Sequence, residues 1–189
     1  MSDEHRVVLV DADERWPAEF ERIAAILSAA VGPDASRIDH IGSTSVPGLA
    51  SKDVIDVQIT VPDGVALERA ATTLETLGWR RGVAFDDHPV PGLPADAAQW
   101  EKEFLDEPPG ERPTHVHVRI EGRANQRYAL LFRDYLRGHP DAATAYLEVK
   151  RGLAALAPSS DEYADAKDPA CDLIYHAAER WAGETSWRA

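Results

Sequence analysis

The sequence predicts an α/β (α+β) fold in one domain, a sheet half over residues 1–122 followed by a helical half over residues 123–189. Three observations lead there. Strand-like and helix-like runs alternate as far as "THVHVRI". From Asn125 onward the apolar spacing is helical throughout. A chain of 189 residues suits a single core, burying about 70% of its unfolded surface.

The elements follow in order. "RVVLV" near the N-terminus reads as a short strand. "DERWPAEFERIAAILSAAVG" spaces Phe20, Ile23, Ala24 and Leu27 as one helical face, with Pro17 in the first turn and Gly32-Pro33 as the stop. "SRIDHIG" reads as a strand entering a small-residue loop, and "VIDVQITV" as a β-branched, buried strand. A second helix, "GVALERAATTLETLG", takes Val65, Leu67, Leu74 and Leu77 as its apolar set and Gly78 as its cap. "WRRGVAF" is a further strand. Asp86 to Ala98, with three prolines and one glycine, is a long mobile loop. "WEKEFL" and "THVHVRI" flank "DEPPGERP" as hairpin arms, and three helical stretches, "QRYALLFRDYLRGHP", "DAATAYLEVKRGLAAL" and "CDLIYHAAERWAGE", complete the chain.

A formal net charge of −13 disfavours polymeric nucleic acid as a partner, because so acidic a surface repels a phosphate backbone. A small anion remains compatible with it, held by a few placed donors. The single cysteine, Cys171, excludes an intrachain disulfide and fits a reducing cytoplasm. No signal peptide and no membrane span are expected, since nowhere do ~18 apolar residues run together. Oligomeric state has no signature in the sequence.

Candidate chemistry gathers between His40 and Val61. Gly42, Ser43, Thr44 and Ser45 combine close backbone approach with three hydroxyls, so the loop either surrounds a phosphate or is only a tight turn. It is neither a Walker loop nor a Gly-x-Ser-x-Gly elbow. Asp56 interrupts an apolar strand, where a carboxylate is costly unless it binds a cation or accepts hydrogen bonds. Gln58 shares its face; Asp53 does not and is a loop-edge acid. His115 and His117 alternate on a strand about 7 Å apart; they either hydrogen-bond within a pocket without metal or, with Asp56, make a three-ligand metal site. Lys52 could neutralise an anion at the loop or pair with Asp56, and Arg127 and Arg133 could reach a phosphate if their helix face borders the cleft. The tryptophans Trp79, Trp100, Trp181 and Trp187 read as packing anchors.

Taken together, "WPAEFERIAAIL", "RIDHIGSTSVPGLASKDVIDVQITV", "HVHV", "LLFRDYLRGHP" and "YADAK" closely resemble the GrpB family, in order and across nearly the whole chain. The resemblance implies membership of the polymerase-beta-like nucleotidyltransferase superfamily, with a mixed sheet flanked by helices. It implies a Gly-Ser pair that holds a triphosphate, matched by Gly42-Ser43, and strand acids that hold divalent metals, of which Asp56 matches the first. Gln58 stands where the second acid would be, and the third position falls on the His115–His117 strand. Mg²⁺ prefers oxygen ligands and imidazole suits zinc, manganese or iron, so a divalent metal (Mg, Mn or Zn) is the implied cofactor. Three readings follow: a nucleotidyltransferase-like enzyme with Asp56 as its catalytic acid, a metal-dependent phosphoester hydrolase, and a non-catalytic binder of a nucleotide or other small phosphorylated ligand.

Overall fold

The computed structural model describes residues 7–82 and 86–189. Five helices and five strands make up its regular elements: α1 Trp16–Val31, β1 Arg37–Ile41, β2 Ile55–Val61, α2 Gly64–Thr76, β3 Arg80–Arg81, β4 Glu103–Asp106, β5 Thr114–Ile120, α3 Ala124–Gly138, α4 Pro140–Leu156 and α5 Ser160–Thr185. The strands form one mixed sheet in the order β1-β2-β5-β4-β3, in which only β2 and β5 run parallel. The parallel pair needs a crossover, and α2 is part of it.

Side chains alternate across a strand, so the β2–β5 register decides what each face carries. Val57 lies opposite Val116 and Ile59 opposite Val118 on one face; Asp56 lies opposite His115 and Gln58 opposite His117 on the other. The apolar face is closed by Trp16, Phe20, Ile23 and Leu27 of α1 and by Ala66, Leu67, Ala70, Ala71 and Leu74 of α2. The polar face looks toward the C-terminal helices. There α3 is bound to the sheet by Arg133, which donates to the His40 carbonyl at 3.1 Å, and by the Gln126 carbonyl, which accepts from Gln58 at 3.2 Å.

Several expectations change. The described part of "RVVLV", Val7 to Val10, is not a sheet strand. Val10 makes one antiparallel bridge with Ser51, and Val7 packs with Ala154 and Tyr163 of the helical half instead. Of "WRRGVAF" only Arg80–Arg81 is strand, and Val83 to Phe85 lie outside the described residues. On α2, Leu67 and Leu74 are buried as expected, but Val65, and Leu77 just past the helix, are 65% and 55% exposed, and Ala66, Ala70 and Ala71 complete the buried stripe. Gly78 does cap that helix, at φ +92°, while Trp79 N-H reaches back to the Leu74 carbonyl. The last helix begins at Ser160, well before Cys171, and runs through Pro169; Pro169 and Asp165 are both exposed, so the carbonyl deprived of its donor faces water. The segment from Asp86 to Ala98 is irregular but anchored, with Val90 buried and Asp87 bonded into the interior.

Leu74→Ala should therefore cost about 2–5 kcal/mol and Leu77→Ala less than about 0.5 kcal/mol, read from urea denaturation midpoints at constant slope. Equal costs would contradict this packing of α2.

Candidate functional site

A cleft of about 610 Å³ opens between the polar face of the sheet and α3, α4 and α5. Asp56, His115 and His117 form its floor, and Gly42 and Ser43 its rim. Asp56 Oδ1 lies 3.3 Å from His115 Nδ1 and 3.9 Å from His117 Nε2. His115 Nε2 lies 3.8 Å from Asp106 Oδ1 across the β4–β5 pair, so this imidazole bridges two carboxylates. Burial raises the Asp56 carboxyl, but the adjacent imidazoles of His115 and His117 outweigh it and hold it well below the usual carboxylate range.

Gly42 sits against that carboxylate. Its φ is +67°, and a Cβ there would fall 2.7 Å from Asp56 Cγ, inside any tolerable contact. Glycine is required on both counts, and the loop backbone touches the acid directly. Past Gly42 the loop makes a single 3₁₀ turn, Ser43–Ser45. Thr44 and Ser45 turn inward: Thr44 Oγ1 is 3.0 Å from His40 Nε2, and Ser45 Oγ donates to the Gly42 carbonyl at 2.6 Å. These two hydroxyls shape the loop, and only Ser43 remains at the cleft.

Gln58 is fully buried. Its Nε2 donates to the Gln126 carbonyl, and its Oε1 accepts from Arg119 Nη1 at 2.8 Å. Arg119 and Lys102 both reach Asp87, at 2.9 and 2.5 Å, and Asn125 Nδ2 donates to the same carboxylate at 3.2 Å. Burial alone would raise the Asp87 carboxyl, but the Arg119 and Lys102 charges hold it far below its ordinary range. The group gives the cleft a rigid, charge-balanced end.

Arg133 is not brought to the cleft. It pairs with Asp39 and Asp134 and ties α3 to β1. Arg127 is likewise engaged by Glu179. Asp53 accepts from Trp16 Nε1 at 2.8 Å and pairs with Arg112, clamping the start of α1 away from the site. Lys52 does line the cleft, its Nζ donating to Ser160 Oγ at 3.2 Å.

Residues that motif reading missed include Asp87, Lys102, Arg119, Asn125, Lys150 and Lys167, all of which line the cleft. The sequence did hold one signal for the lysines. It has only four, Lys52, Lys102, Lys150 and Lys167, against sixteen arginines, and all four line this one cleft.

Asp56 and the two imidazoles offer one oxygen and two nitrogen donors, a set that suits Zn²⁺ or Mn²⁺ better than Mg²⁺. Ligands of a tetrahedral ion at about 2.1 Å lie about 3.4 Å from one another, close to the spacing between Asp56 and His115. Asp106 stands behind His115 as a carboxylate that would orient a metal-bound imidazole. His117 has no such support, since its Nδ1 is buried without a hydrogen-bond partner. Among the described residues no group of three or more His, Cys, Asp or Glu side chains is arranged to hold a metal ion, so the three-ligand set of Asp56, His115 and His117 is not assembled. Asp56 and His115 thus fit a cation best, with His117 within reach.

The family model described as GrpB protein matches residues 6–177. The chain belongs to the GrpB family. The crystal structure of the conserved protein GrpB from Enterococcus faecalis superposes with a TM-score of 0.73 at 28% identity, covering 92% of this chain and 99% of that one. A dephospho-CoA kinase of Mycolicibacterium paratuberculosis is 37% identical over 96% of this chain, and the UPF0157 protein PA4798 of Pseudomonas aeruginosa is 34% identical over 88% of it. The chain spans 48% of the first of these relatives and 65% of the second. No helix among the described residues is long and apolar enough to cross a membrane.

His40, stacked on Phe20, and His117 are both pushed down to about 4 by burial. Unfolded, each titrates near 6.5, so between about pH 6.5 and 4 the unfolded chain binds more protons and stability falls as pH falls. Urea midpoints should drop from pH 7.5 to pH 4.5, and His40→Phe, which keeps the stack, should flatten the slope. A midpoint that rises on acidification would contradict the neutral burial of these rings.

Proposed function

We propose that the cleft binds a nucleotide or other small phosphorylated ligand, with one divalent cation held by Asp56 and His115 beside a phosphate at Gly42-Ser43. The supporting observation is the contact of the Gly42 backbone with the Asp56 carboxylate. It would bring an anion held at the loop and a cation held at the acid directly side by side. The lysines at the same cleft supply positive charge that the protein as a whole lacks. A bound cation would neutralise phosphate charge and polarise a phosphorus-oxygen bond. Asp56 would orient that cation.

Gln58 favours a second reading, in which the protein binds such a ligand without transferring any group. Both ends of its amide are committed, so it adds no ligand for a second cation and cannot serve as the second acid of two-metal nucleotidyl transfer. Nothing in this chain supports kinase activity by way of a Gly-Lys-Ser/Thr phosphate loop, which its sequence lacks.

Calorimetric titration with a nucleoside triphosphate, with and without Mn²⁺, tests the proposal. Mn²⁺ should tighten binding at least tenfold, about 1.4 kcal/mol. Asp56→Asn should remove that gain while leaving the circular dichroism spectrum unchanged. An undiminished Mn²⁺ effect in the variant would place the cation elsewhere. Release of pyrophosphate in the presence of small acceptors would separate the transferase from the binder.

A further inference from the structure

All four lysines of the chain line one cleft, while among the described arginines Arg119 alone contributes to it. Arginine binds phosphate at least as well as lysine but stays protonated; lysine alone can lose its proton and present a lone pair. The distribution therefore points to an amine. Lys102 is committed to Asp87, which leaves Lys52, Lys150 and Lys167 at the other end.

Of these Lys150, on α4, is the most deeply placed, at 2% exposure. Its Nζ donates to the Ala50 carbonyl at 2.6 Å and sits 5.3 Å from the centre of the Tyr146 ring. The titratable groups that bear on it are Lys167 and the thiol of Cys171 from α5 and Asp56 from β2, and among the described residues no carboxylate forms an ion pair with it. Burial, with the charge of Lys167 added, pushes its ammonium down to about 7. A buried amine beside a second cation is an activated nucleophile. Lys52 and Lys167 stand 5.9 and 5.7 Å from the centre of one ring, Tyr163, and so flank the same part of the cleft.

We propose that Lys150 is a nucleophile toward a carbonyl compound, an aldehyde or ketone carrying a phosphate that Lys52 and Lys167 hold. The Nζ lone pair forms the carbon-nitrogen bond. The two protons of the neutral Nζ pass to the former carbonyl oxygen, the carbon-oxygen bond breaks and that oxygen leaves as water, giving an imine. The phosphate part rests on the reading of the cleft as a phosphate site; the amine part does not.

The test uses the full chain with pyridoxal 5′-phosphate or phosphate-free pyridoxal as probe, borohydride to reduce the imine, and peptide mass spectrometry to locate the label. Lys150 should be labelled at least tenfold faster than Lys52, Lys102 or Lys167, and faster by the phosphorylated probe. Its rate should rise with pH about a midpoint near 7, and Lys167→Met should shift that midpoint upward by removing a neighbouring charge. Lys150→Arg should abolish the label, with circular dichroism confirming the fold. Equal labelling of Lys150 by both probes would uphold the nucleophile and overturn its phosphate selectivity. Label spread evenly over the lysines, or absent from Lys150, would overturn the proposal.

Discussion

The register of β2 against β5 is the constraint on which the rest depends. With Asp56 opposite His115 and Gln58 opposite His117, every apolar residue of the two strands falls on the face covered by α1 and α2. A slip of β2 by one residue would drive the Asp56 carboxylate into that core and turn its valines outward, and the same slip of β5 would bury both imidazoles. The apolar face thus fixes, through packing alone, which side chains meet in the cleft. It does so without any of them having to stabilise the fold.

The polar face needs its own closure, and a buried charge cluster provides it. Asp87 is held by Arg119 of β5, by Lys102 just before β4 and by Asn125 of α3, so the irregular segment after β3 is fastened where it passes the cleft. Such clusters are poor sources of stability, because desolvation offsets most of the attraction. What this one contributes is position. It also takes up Gln58 through Arg119, so the residue that departs from the acidic pattern serves the scaffold.

Much of this was legible in the sequence, for definite physical reasons. "THVHVRI" is observed as a strand at the predicted residues, and Asp56 stood out because a lone carboxylate in a β-branched run demands a partner. The inner stripe of α2 was obscured because Ala66, Ala70 and Ala71 carry little hydrophobic signal, which lent undue weight to Val65 and Leu77. The Asp87 cluster joins residues 15 to 38 positions apart, from a loop, two strand regions and a helix, and no local spacing announces it. Thr44, Ser45 and Arg133 carried the right chemistry, but only the fold shows that their bonds are directed inward or along β1.

Anomalous diffraction from crystals soaked in Mn²⁺ with a nucleoside triphosphate would test the central claim most directly. One peak within bonding distance of Asp56 and His115, with phosphate density against Gly42-Ser43 and Gln58 still bonded to Arg119, is the result this account predicts. Two peaks sharing Gln58, or a peak remote from Asp56, would contradict it.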